Sequence, residues 1–121
     1  MARETTRRFA PRPEEVRSVR HYVRQTLDSW NAPTDDAVLI ASELATNAIT
    51  HGRDGVVVSI VQDRAGTLIE IHDDNPNVPV TPTRDTAALG GRGMEIITQL
   101  ARDWGIHRHV DNGKTVWARL R

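Results

Sequence analysis

The apolar residues of this chain change period along its length, and that change constrains the fold class more than any other feature. Between residues 13 and 51 they recur every three to four positions, whereas 55–73 holds two short runs of β-branched residues. Helices must therefore be followed by strands. In 13–30, Val16, Val19, Val23, Leu27 and Trp30 form one stripe, and Pro13-Glu14-Glu15 suits a first helical turn. Arg17, Arg20 and Arg24 lie off that stripe and read as a solvated face. Asn31-Ala32-Pro33 breaks the pattern. Thr34 then offers an N-cap, Asp35 and Asp36 put carboxylates at the positive end of a second helix, and Gly52 marks its stop after His51. Ala37, Ile40, Ala41, Leu44, Ala45 and Ala48 give this helix a continuous small, apolar face.

GVVVSIV (55–61) and TLIEIHD (67–73) read as two strands joined by a turn that ends in Gly66. Residues 4–9 suit a short edge strand before the Pro11–Pro13 break. WGIHRHV (104–110) and TVWARLR (115–121) flank Asp111-Asn112-Gly113, the signal of a hairpin. A third helix is expected after Gly90–Gly93, with Met94, Ile97, Leu100 and Ala101 at helical spacing. The expected architecture is one α/β (α+β) two-layer sandwich over residues 1–121. Its mixed, mostly antiparallel sheet is covered on one face by three helices.

Composition narrows the function. A chain of 121 residues buries about two thirds of its unfolded surface, so one core suffices without staples. The absence of cysteine excludes disulfide scaffolds and thiolate enzymes. No apolar run approaches the ~18 residues of a membrane span, and MARETTRRFAPRP lacks the apolar segment of a secretory signal, so a cytoplasmic protein without membrane attachment is expected. Net charge is zero, against the basic excess of a general nucleic-acid binder. The zero hides an asymmetry. Residues 1–24 carry seven arginines and three glutamates, a balance of +4, and residues 25–121 carry nine basic and thirteen acidic side chains, a balance of −4.

Four places carry the chemistry. Asp73 shares a strand face with Ile69 and Ile71, and a carboxylate on a core-facing side needs a partner or a ligand. On the second helix Glu43, Asn47 and His51 advance by only ~40° each and form a polar stripe beside the apolar face. A carboxylate, a carboxamide and an imidazole in a row suit a hydrated Mg²⁺ and a phosphate-bearing ligand, and equally well three ordinary residues at a helix boundary. Residues 74–90, with three prolines and no period, form a long loop of the kind used as a lid or binding segment. It closes in Gly90-Gly91-Arg92-Gly93 at a helix start, where free N–H groups and an arginine attract phosphate; a hinge with a cap is the plainer reading of the same glycines. Gly113-Lys114-Thr115 imitates the end of a P-loop, but Arg108 stands where the first glycine belongs and a strand follows. His107 and His109 share a strand face without a third metal ligand at suitable spacing. The three tryptophans read as packing residues.

In order along the chain, these pieces resemble the GHKL ATPase superfamily, and within it the small serine-kinase anti-sigma factors of bacteria. SELATNAITHG (42–52) is similar to the N-box, IHDDNP (71–76) falls where the adenine-binding aspartate lies, GGRGMEII (90–97) resembles the glycine-rich box, and GKTVWARL (113–120) the final strand box. Where the family reads DxGxG, this chain reads Asp73-Asp74-Asn75-Pro76-Asn77. The resemblance implies Glu43 as general base, Asn47 as Mg²⁺ ligand, His51 near the phosphates and Asp73 as acceptor for the adenine amino group. It further implies Gly91, Arg92 and Gly93 on the phosphates and Thr115 at the adenine end. The implied activity is an ATP- and Mg²⁺-dependent serine/threonine kinase that is also an anti-sigma factor. The implied partners are a sigma factor and an anti-sigma factor antagonist, with a homodimer as a possible assembly and no direct nucleic-acid contact. The alternative expectation is a regulator of the same fold that binds a partner with little or no catalysis. A nucleotide hydrolase without a protein substrate is the third.

Overall fold

A computed structural model describes residues 2–51, 55–74, 92–109 and 113–121, with the backbone alone at His51 and at 92–94. The elements are β1 (Arg3–Phe9), α1 (Glu15–Ser29), α2 (Asp35–His51), β2 (Val56–Asp63), β3 (Gly66–Asp73), α3 (Arg92–Leu100), β4 (Ala101–His109) and β5 (Gly113–Leu120). The strands form one sheet in the order β1-β2-β3-β5-β4. All four pairings are antiparallel, so the sheet is more regular than the mixed one expected.

Each element follows from its residues. Val19, Val23 and Leu27 of α1 are fully buried, and Val16 and Trp30 pack at the margin of the same core. In α2, all six positions of the small, apolar face, from Ala37 to Ala48, are at most 3% exposed. Small side chains let α2 lie close against both α1 and the sheet. It packs along β3 and β5 with α1 on its other side, while α3 packs on α2 and β4. The off-stripe arginines of α1 reach α2, with Arg20 donating to Ser42 Oγ at 3.2 Å and Arg24 lying 3.4 Å from Asp35. At the opposite edge the Tyr22 hydroxyl donates to Thr5 of β1 at 3.0 Å. The β2–β3 turn closes as expected, with Gly66 at φ +107° and the Ala65 N–H held by Asp63 Oδ1 at 2.9 Å.

Two boundaries differ from the sequence expectation. Helix α1 begins at Glu15, after a turn over Pro13 and Glu14. Ala101, four residues beyond Ile97, is not helical but opens β4 opposite Leu120; its burial at 4% against the sheet accounts for its apolar character. Gly52, the loop 75–90, Gly91 and the turn 110–112 lie outside the described residues. Among the described residues no helix is long and apolar enough to cross a membrane.

The core lies between the sheet and the helices. On its helix-facing side β3 buries Ile69, Ile71 and Asp73, β2 buries Val56, Val58 and Ile60, and β5 buries Val116, Ala118 and Leu120. The other sheet face carries half-buried residues. There Trp117 lies across Gly105, where an added Cβ would stand 2.9 Å from the indole.

Candidate functional site

One transverse row crosses all five strands at the same end of the sheet: Phe9, Val56, Asp73, Lys114 and Arg108. All five are buried, at 4%, 0%, 1%, 4% and 7% exposure. The row turns from apolar to charged at β3. Lys114 Nζ stands 2.8 Å from Asp73 Oδ2, between directly paired residues of neighbouring strands. The carboxylate expected to need a partner therefore has one in its own chain. Taking both charges out of water costs several kcal/mol, and only close contact offsets that cost. Arg108, paired in register with Lys114 on its other side, adds a second buried cation.

Helix α2 runs toward the end of the sheet that holds this row. Pro33, Thr34, Asp35 and Asp36 at the start of α2 line a pocket of about 390 Å³ together with Gly66, Thr67 and Leu120, at the opposite end of the sheet. From there α2 and β3 each span roughly 25 Å, so the last turns of α2 arrive at the Asp73 end. Thr46, Ile49 and Thr50 line a second pocket, of about 510 Å³, with Pro11 and Pro13 beyond Phe9, which agrees with that direction. Glu43 and Asn47, one turn apart, are half-buried on this half of α2. The backbone of His51 ends the helix, and its side chain lies outside the described residues. Helix α3 leads directly into β4 at Ala101 and packs on both α2 and β4. The backbone of Arg92 and Gly93 opens α3. A helix start presents N–H groups that favour an anion.

Thr115 is not brought to this group. Successive strand residues point to opposite faces, so when Lys114 faces the helices Thr115 faces away. Its hydroxyl bridges His72 Nδ1 at 3.1 Å and His109 Nε2 at 2.9 Å. The rings of His72, His109 and His107 follow one another edge to face, with centroids 5.2 and 4.7 Å apart. His72, His109 and Thr115 line an open pocket of about 470 Å³ with Arg8, Gly55, Val57 and Asp74. Partial burial, then the neighbouring His107 and His72, push the His109 pKa below its ordinary value. Among the described residues no three His, Asp or Glu side chains are arranged to hold a metal ion.

Sequence reasoning missed Lys114 as the partner of Asp73, Arg108 as the buried cation beside Lys114, and His72 as a neighbour of His109. A signal for Lys114 was present. It shares strand parity with Val116, Ala118 and Leu120, which places it on the apolar face.

Set beside known families, residues 9–120 match the family described as the histidine kinase-like ATPase domain. The chain belongs to this family. No curated protein matched it at a significant level. The ATPase domain thus spans nearly the whole chain and is of GHKL type, with ATP as its nucleotide. The donor set fits that ligand with Mg²⁺: Glu43 and Asn47 offer hard oxygen donors on one face of α2, Asp73 is a buried acceptor, and the start of α3 offers N–H groups.

Proposed function

We propose that this ATPase domain is an ATP-dependent serine/threonine protein kinase that acts in the cytoplasm as an anti-sigma factor. Its protein substrate is an anti-sigma factor antagonist, and a sigma factor is its second partner. What supports the reading is that the polar half of α2 and the buried Asp73 lie toward the same end of the sheet, with α3 packed on α2 and β4. Asn47 would hold Mg²⁺, which when bound supplies charge neutralisation on the phosphate oxygens. Glu43 accepts the proton of the attacking hydroxyl. The backbone at Arg92 and Gly93, with His51 at the end of α2, holds the phosphates, and Asp73 accepts from the amino group of the base. The +4 balance of residues 1–24 belongs to none of these tasks and is assigned to a protein partner.

Titration calorimetry with Mg·ATP, followed by phosphate transfer to an antagonist protein captured from the native cytoplasm, tests the reading. Heat of binding and a phosphorylated serine or threonine on the antagonist are expected. No heat at millimolar nucleotide would sink the kinase and leave the second reading, a partner-binding regulator of the same fold. Two observations favour that second reading: Asp73 is already ion-paired within the chain, and Asp74-Asn75-Pro76-Asn77 lacks both glycines of DxGxG.

A further inference from the structure

His107 and His109, which share a strand face, gain a third neighbour on the side of the sheet turned away from the helices. His72 of β3, Thr115 of β5 and His107 of β4 stand in register, and His109 follows on the same face, paired with Gly113. His72 Nδ1 and His109 Nε2 aim at one point, the Thr115 hydroxyl oxygen, at 3.1 and 2.9 Å. A hydroxyl has one proton to give, so at most one of these nitrogens accepts from it. A neutral imidazole turns a lone pair inward by carrying its proton on the other nitrogen. Two such lone pairs, converging from β3 and β4, are a donor set for a borderline divalent cation. The ring spacing agrees. Two imidazoles on one tetrahedral ion, with metal–nitrogen distances of about 2.0–2.1 Å, put their centroids roughly 5 Å apart. Those of His72 and His109 are 5.2 Å apart. Partial burial, then His107 and His72, hold the His109 pKa below its ordinary value, which favours the neutral ring that ligates. Asp74 and Arg8 line the same open pocket, and their opposite charges offset each other there.

We propose that His72 and His109 form a surface site for a divalent transition metal such as Zn²⁺, on the face of the sheet away from α2 and α3. The two imidazoles are its protein ligands and water fills the remaining positions, in keeping with the lack of a three-residue cluster among the described residues. The Thr115 hydroxyl yields its two imidazole contacts as the rings turn onto the ion. No proton is lost from neutral rings, since each keeps one on its outer nitrogen. The site is separate from that of Mg²⁺ and ATP: Mg²⁺ prefers oxygen ligands, whereas a pair of imidazoles suits Zn²⁺. A bound ion joins β3 to β4 across β5 and stabilises the fold by mass action.

In the test, Zn²⁺ alone, without nucleotide, is titrated into the full chain by calorimetry, and the histidine ring signals are followed by NMR. Saturable binding of a single ion, a joint change in the His72 and His109 signals and a higher Tm are expected. His72→Ala and His109→Ala should each weaken binding by at least about 10-fold, the least that loss of an outer-shell partner costs a metal site. His21→Ala, at an exposed position of α1, should bind like wild type. The wild-type ring signals decide the matter if a variant does not fold. No saturable binding at millimolar Zn²⁺ overturns the proposal. So does full binding by His72→Ala, which would leave the ion on His107 and His109 of β4 alone. Equal loss in His21→Ala also overturns it, because the uptake would then be adventitious.

Discussion

Lys114 and Asp73 face each other across β5 and β3, 2.8 Å apart and sealed from solvent at the end of an otherwise apolar sheet face. Removing one member of a buried ion pair is expected to cost about 3–5 kcal/mol, whereas replacing both by apolar groups of similar volume is close to neutral. Lys114→Ala should therefore lose most of that amount in urea unfolding, and Asp73→Leu with Lys114→Met should recover most of it. A single variant as stable as wild type would show that the pair is not held in the folded protein.

Gly113 opens β5 beside this pair with φ +79°, a conformation that residues with a Cβ rarely adopt. A Cβ there would strike the Asp73 carbonyl oxygen and stand 2.6 Å from Asp74 Cα, and neither backbone group can step aside. Gly113→Ala is expected to destabilise the fold by more than ~1 kcal/mol. Gly66→Ala makes a useful contrast: its φ is +107°, but its nearest neighbour would be 3.8 Å away, so its cost should be smaller. Thermal unfolding of the two variants checks the order.

Glu43 and Asn47 lie one turn apart on α2 and are given different tasks, so their variants should fail differently. Glu43→Ala is expected to keep Mg·ATP binding and lose about 10²–10⁴-fold in phosphate transfer. Asn47→Ala should lose the Mg²⁺-dependent part of nucleotide binding. Paired calorimetry and transfer assays separate the two, and wild-type transfer by both variants would refute the assignment.

On the far face of the sheet, His109 is held below its ordinary pKa of 6.5 by partial burial and by His107 and His72. The folded state then binds fewer protons at this site than the unfolded chain. Its contribution to stability is complete above pH 6.5 and is lost as the pH falls through the folded value. Proton NMR should place the His109 midpoint below 6.5, and His109→Gln should flatten the loss of Tm on acidification. A midpoint at or above 6.5 would contradict the arrangement.

Much of the fold was legible because periodicity is a local property. The stripe of α1, the small face of α2, the turn before Gly66 and the β4–β5 hairpin all follow from spacing within a few residues. Where local spacing misled, tertiary pairing decided. Ala101 continues the period of α3, yet it is taken by the sheet because pairing with Leu120 buries it.

The candidate site was legible one residue at a time and not as a group. Strand alternation alone put Asp73 on the face of Ile69 and Ile71, and helix geometry alone aligned Glu43 with Asn47. That a buried carboxylate required a partner also followed from the sequence. Which residue supplied it did not. Asp73 and Lys114 are 41 positions apart, and only the insertion of β5 between β3 and β4 makes them neighbours. The same register sends Thr115 to the opposite face, into the company of His72 and His109. Spacing along the chain determined what each element buries. The order of strands in the sheet, fixed by long-range hydrogen bonding and by packing under α2, determined which charges meet.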